Sequence, residues 1–293
     1  PKSGRNQLIV AAAGLGGLIG FGSVRTGSDD VLPNLLGIIA GSGIGAAVAY
    51  YTVPRDIRTA HSSLIVTTSL VTGLQGAYIT GLFVCDNTAA SGAGLYLLDA
   101  SGTVTIQNSV FVENGATTTG GGLYLEEVLD LEMTNNHVLG NSATTSGGGL
   151  YATDSDFDLK NNLVAHNSSG YGFYAIGYTS WSESYGAWYS NSTADMGGDL
   201  ASETWSPAVS TDPSLASWTN DGDCANYALW PTSGSPLIDA GDPTILDPDT
   251  STSDIGAYGG ASADAALFVD ADGDGEIAMT DCDDDDIDNF HGN

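Results

Sequence analysis

Aspartates recur at every second position near one end of the chain: Asp270, Asp272 and Asp274 in DADGDGEIAMTD, followed by Gly275, Glu276, Ile277 and Asp281. Carboxylates spaced by two, then a glycine that permits a sharp turn, fold back around a single point. Such an oxygen set suits a hard divalent cation, and calcium takes about six to eight oxygens at roughly 2.3–2.6 Å. The following DCDDDD restarts the spacing with Asp281, Asp283 and Asp285, so a second ion would share Asp281. Eleven carboxylates within residues 264–293 repel one another unless cations neutralise them. The bland alternative is a solvated acidic tail. Asp247, Asp249 and Asp254 form a weaker set, which either holds an ion or caps the chain through Asx-type hydrogen bonds.

The twelve residues from Asp270 to Asp281 resemble a dockerin-type or EF-hand-type calcium loop. The resemblance implies that Asp270, Asp272 and Asp274 are the first ligands, that Glu276 offers its backbone carbonyl and that Asp281 closes the loop. Dockerin-like loops share the closing Asp, where a signalling EF-hand usually carries Glu. The restarted spacing is similar to thrombospondin type 3 modules and to Asp-rich repeats of bacterial surface proteins. A structural role for Ca2+ is expected.

Catalytic arrangements are sparse. Glu132 and Asp158 fall at equivalent positions of neighbouring repeats, which would set two carboxylates near enough for acid/base work; an exposed solvent face is the simpler reading. His137 and His166 fall in different columns, with no Ser/His/Asp set, and the glycine triplets lack the Lys-Ser/Thr of a phosphate loop. No enzyme is expected. A polysaccharide lyase would need a cationic base, and residues 59–293 hold no arginine and only Lys160.

That scarcity is part of a larger asymmetry. The 293 residues carry 36 acids against six Lys+Arg, a formal net charge of −30. Five of the bases lie within residues 1–58, opposed there only by Asp29, Asp30 and Asp56. The remainder is a strongly acidic body that repels nucleic acid and anionic lipid.

The elements that position these groups show in a repeat. GAGLY (92–96), GGGLY (120–124) and GGGLY (147–151) recur, and ITGLFVCDN, IQNSVFVEN, MTNNHVLGN and LKNNLVAHN superpose without gaps. Asn87, Asn114, Asn141 and Asn167 make one column; Ile79, Ile106, Met133 and Leu159 another; Val84, Phe111, Val138 and Val164 a third. Between apolar columns stand Tyr78, Thr105, Glu132 and Asp158, an alternation of period two that reads as strand. Repeats of this length with Gly and Asn at corners predict a parallel β-solenoid over residues 59–262. Leu95, Leu123 and Leu150 then face inward, and Tyr96, Tyr124 and Tyr151 form an outward ladder, a candidate binding surface for glycans because aromatic faces stack on sugars. The aromatic stretch 171–189 predicts irregular, wider turns, with Trp188 continuing the Val164 column.

The GGGL and FVEN pair resembles the repeats of chlamydial polymorphic membrane proteins, and residues 233–260 are similar to the closing segment of bacterial surface β-helix repeat proteins. The resemblance implies an exported right-handed parallel β-helix, mainly β in class, and leaves the activity open.

Residues 1–58 stand apart. Leu8–Val24 and Val31–Val53 lack charge, and Gly37, Gly41 and Gly45 would share one helix face. A helical hairpin is expected, either crossing a membrane or buried in an assembly core through self-association or contact with other surface proteins, with β-structure as the remaining alternative. Residues 263–293 form the third unit, the calcium-binding tail. Of three cysteines, either Cys224 and Cys282 pair, with Cys85 a buried thiol, or all three are unpaired. Asn167-Ser-Ser and Asn191-Ser-Thr are glycosylation motifs. Together these readings point to a cell-surface or extracellular structural subunit, with a membrane-anchored adhesin as the alternative.

Overall fold

Runs such as LYLLDA, VTIQ and VFV are too short for stable helices, the last two are rich in β-branched residues, and each meets a corner residue held at positive φ at or beside its end. Asp99, Asn108 and Glu113 are three such corners. The chain therefore turns every few residues and coils into a parallel β-solenoid of about four turns. The computed structural model describes residues 8–13, 56–58, 64–69, 77–220, 224 and 227–263.

Each turn contributes one strand to each face. The first sheet stacks Leu64–Ser69, Leu95–Ala100, Leu123–Val128, Leu150–Thr153, Phe173–Ile176 and Met196–Gly198. The second stacks Ala77–Thr80, Val104–Gln107, Leu131–Thr134, Phe157–Lys160 and Trp181–Ser184. The third stacks Asp56–Arg58, Phe83–Cys85, Val110–Val112, His137–Leu139, Leu163–Ala165 and Ala187–Tyr189. A short fourth joins Thr88–Ser91, Gly115–Thr119 and Ser142–Ala143. The expected columns are the observed register: Ile106 pairs with Met133 and Met133 with Leu159, and Phe111 pairs with Val138 and Val138 with Val164. These side chains are buried and form the inner core with Leu95, Leu123 and Leu150.

The stretch 171–189 is one further regular turn. Phe173 continues the Leu150 column, Trp181 the Phe157 column and Trp188 the Val164 column. One position departs from the apolar rule. Glu183 follows Leu159 in the core-facing column, and its Oε1 accepts from the Gly186 N–H at 2.9 Å and Trp188 Nε1 at 3.2 Å. Burial holds its carboxyl above the usual range.

Leu8–Ala13 is a strand parallel to Leu64–Ser69, extending the first sheet by one member. For those six residues the expected helix is corrected to strand: a short, uninterrupted apolar run suits a parallel sheet. The rest of the expected hairpin, residues 14–55, lies outside the described residues. Among the described residues no helix is long and apolar enough to cross a membrane.

The second correction concerns the cysteines. Cys85 is bonded to Cys224, across 139 residues, with a Cα–Cα distance of 6.2 Å. The reason lies in the third sheet, four of whose strands are buried at all three positions. Their outward side chains Phe83, Cys85, Val110, Val112, Leu139 and Leu163 need a cover, and the chain after residue 205 supplies one. Val209, Cys224, Tyr227, Leu229, Leu237, Ile255 and Ala257 pack against them as a second core. Cys85 thus faces this cover, where Cys224 lies. Cys282 falls outside the described residues.

Candidate functional site

Polar side chains within the solenoid are arranged in axial ladders. Asn114 Oδ1 accepts from the Asn87 backbone N–H at 3.1 Å and from its Nδ2 at 3.0 Å. Asn141 does the same for Asn114, Asn167 for Asn141 and Asn191 for Asn167. Each Nδ2 also reaches a carbonyl of an earlier strand, as Asn141 does to Phe111 O at 2.9 Å. The first four asparagines are fully buried. At each of these corners the residue just before the asparagine holds the positive φ: Asp86, Glu113, Gly140, His166 and Ser190.

Asn191, the fifth rung, was not recognised from the sequence because the repeat shortens there. Its Nδ2 donates to Val164 O and to Asp195 Oδ1. The acceptor nitrogens of both glycosylation motifs, Asn167 and Asn191, are therefore spent inside the ladder.

A second asparagine column, Asn108, Asn135 and Asn161, turns the other way. Asn108 Nδ2 donates to the carbonyls of Ala257 and Gly259 at 3.0 and 2.8 Å. Asn135 Nδ2 reaches Asp254 O at 2.9 Å and Gly256 O at 3.2 Å, and Asn161 Oδ1 accepts from the Asp242 N–H at 2.8 Å. These amides clasp residues 237–260 across three turns. His137, fully buried beneath the clasp, accepts the Ala257 N–H at its Nδ1, 2.7 Å away. Burial pulls its pKa down to about 4. Gly256 lies against the imidazole at φ 101°, where a Cβ would collide with the ring. Lys160, the one base after residue 58, pairs with Asp242 of the clasp at 3.3 Å.

Asp247, Asp249 and Asp254 belong to this clasp and make the bonds of the capping alternative. Asp247 accepts the N–H of Asp254 and of Gly260, Asp249 accepts from Ser251, and Asp254 accepts the Asp239 N–H. Burial lifts the Asp254 carboxyl to about 6, helped by the charges of Asp247, Asp239 and Asp249. Among the described residues no group of three or more His, Cys, Asp or Glu is placed to hold a metal. The tail residues Asp270, Asp272, Asp274, Glu276, Asp281, Asp283 and Asp285 lie outside the described residues.

Tyr96, Tyr124 and Tyr151 stand in register on the outer face of the first sheet, with centroid distances of 4.6 and 5.1 Å. Tyr174 adds a fourth rung at 5.6 Å, hidden in the sequence by a repeat four residues shorter. Interplanar angles of 25°, 9° and 8° mean that the rings stack on one another. Their faces are occupied within the ladder, and edges and hydroxyls are what it presents. The Tyr96 hydroxyl donates to Glu126 Oε2 at 2.5 Å. Partial burial first, then Glu126, raise the Tyr96 hydroxyl far above the usual phenol range, and the Tyr124 and Tyr151 hydroxyls are raised as well.

Glu132 and Asp158 do pair in register on the second sheet, both exposed, and Asp158 accepts from Ser182 Oγ. No protein-family description, curated protein or solved structure matches this chain.

Proposed function

We propose that the protein is a non-enzymatic, exported structural subunit of a bacterial cell-surface or extracellular assembly, such as a filament, sheath or envelope complex, stabilised by calcium. The observation that carries this reading is that both side-chain ladders are spent on holding turn to turn. The asparagine amides bond to one another, and the tyrosine faces stack on one another, so neither column is left aimed at a small-molecule ligand. The Cys85–Cys224 bridge supports an oxidising compartment outside the cytosol. The solenoid is taken as right-handed, as crossover connections between parallel strands almost always are. Residues 14–55 would provide the contacts between copies or with a membrane, and Asp270–Asp285 would take up Ca2+.

The alternative, a membrane-anchored adhesin or glycan-binding protein, would have to use the edges and hydroxyls of Tyr96, Tyr124 and Tyr151. The two readings separate in sedimentation velocity without detergent. The full chain is compared with a variant whose residues 14–55 are replaced by a short flexible linker. Large calcium-dependent species from the full chain and monomers from the variant are expected. Monomers from both would refute the assembly reading.

A further inference from the structure

Four tyrosines stacked along one face are also a redox-active arrangement. Their rings lie 4.6, 5.1 and 5.6 Å apart, near parallel, and are only partly buried. Tyr171 lies 5.3 Å from Tyr174 and covers Gly197, so the aromatic column continues over the last rung of the sheet. At the other end, the Tyr96 hydroxyl already donates to a carboxylate, Glu126. A phenol cannot be oxidised by one electron at neutral pH without losing its proton, and here an acceptor is in place.

We propose that the Tyr96–Tyr124–Tyr151–Tyr174 column is a site of oxidative modification, in which a one-electron oxidant of the peroxidase or high-valent metal class couples neighbouring rings into dityrosine. The inference stands apart from the assembly reading, since it needs only the fold and an external oxidant. The oxidant removes one electron from Tyr96, and the hydroxyl proton passes to Glu126 Oε2, leaving a neutral phenoxyl radical. A second oxidising equivalent makes the same radical on Tyr124, whose proton goes to solvent or to Glu126 once that has released its own. The two radicals combine by a carbon–carbon bond between ortho positions. Each coupled carbon then returns its hydrogen as H+ through tautomerisation to the phenol. The balance is two tyrosines to one dityrosine, two electrons to the oxidant and two protons released.

Stacking serves this step in two ways. It holds the second ring beside the radical, which replaces a chance encounter by an intramolecular one. It also lets the oxidised state move along the column, so that a hit on any rung is delivered to a neighbouring pair. Ring tilting closes the remaining gap, and the partial exposure of the rings leaves room for it. The product would staple consecutive turns covalently where the sheet now relies on backbone hydrogen bonds and ring contacts.

The test is photo-oxidation of the folded, full-length chain with tris-bipyridine ruthenium(II) and persulfate at low protein concentration. Dityrosine fluorescence is read in the monomer band of a denaturing gel, and cross-linked peptides are sequenced by mass spectrometry. Links between Tyr96 and Tyr124, Tyr124 and Tyr151, and Tyr151 and Tyr174 are expected to dominate. Tyr124→Phe keeps the stack but removes two of the three reactive pairs, so the intramolecular yield should fall to about one third. Glu126→Gln should slow the reaction at neutral pH and leave the folded far-ultraviolet spectrum unchanged. Links centred on the more exposed Tyr78 and Tyr185, or a yield indifferent to Tyr124→Phe, would overturn the proposal.

Discussion

Asn114 Oδ1 takes two hydrogen bonds from Asn87, one from its backbone N–H at 3.1 Å and one from its side-chain amide at 3.0 Å, across a full turn of the solenoid. The same exchange between each later pair makes the ladder cooperative in register, because slipping any strand by one residue would bury several unpaired amides at once. Asn141 stands at its centre, accepting twice from Asn114 and donating to Phe111 O and Asn167 Oδ1.

Replacing Asn141 by Ala should therefore cost about 3–4 kcal/mol, since it strands buried donors of Asn114 and takes the side-chain donor away from Phe111 O. Asn87→Ala should cost less, about 1–2 kcal/mol, because Asn87 Oδ1 accepts from no described group. Urea denaturation midpoints of the two variants measure the difference. Equal losses would contradict a directional ladder.

The bridge from Cys85 to Cys224 closes a loop of 139 residues and pins the cover to the first complete turn. Reduction should cost about 3–5 kcal/mol on the loop-entropy account. Hydrogen exchange should show amides of residues 237–260 losing protection before those of Leu123–Val128, whose ladder is inside the inner core. Uniform loss of protection would mean that clasp and solenoid are one cooperative unit.

Buried His137 and half-buried Asp254 titrate in opposition. An unfolded chain protonates His137 near pH 6.5, while the folded imidazole holds off to about 4. Proton uptake by the unfolded state alone thus removes about 3 kcal/mol of stability as pH falls across that window. Asp254 has the reverse sign. Its folded carboxyl binds a proton near pH 6, well above the unfolded value of 3.8, so folding gains as pH falls through the same range. Half-exposed as it is, that gain is discounted to about 1 kcal/mol. Together these two groups should remove roughly 2 kcal/mol between pH 6.5 and 4, and Asp254→Asn, which keeps the Oδ1 acceptor, should steepen the loss by about 1 kcal/mol. Denaturation midpoints across pH measure both slopes.

Glu183 occupies a core-facing position where Ile106, Met133 and Leu159 stand in earlier turns. Glu183→Gln keeps the acceptor for Gly186 and Trp188 and removes a charge that burial disfavours. It should raise stability by about 1 kcal/mol at pH 7 and by little at pH 4, where the carboxyl is already largely neutral. A thermal melt at each pH decides this.

The repeat made the inner solenoid legible in the sequence, because each inward column is chemically uniform: Leu95, Leu123 and Leu150, or Val84, Phe111 and Val138. The same uniformity located the first four asparagine rungs and three of the four tyrosines. Tyr174 and Asn191 escaped because the steps shorten, although Phe173 and Trp188 keep the register beside them. The clasp had no periodic signal at all. Its contacts join Asn108 to Ala257 and Cys85 to Cys224 over more than a hundred residues, and irregular chain leaves no pattern to align. The one local hint was the third sheet, where FVC, VFV and LVA are apolar on both faces and so require two covers.

As proposed, this chain builds an ordered extracellular structure dependent on calcium. Negative-stain electron microscopy of the native full-length protein, without detergent, in calcium and then in EDTA, tests it most directly. Filaments or sheets in calcium that disperse in EDTA are the expected result. Separate particles in both, or rosettes formed only with lipid, would contradict the claim and favour a membrane-anchored adhesin.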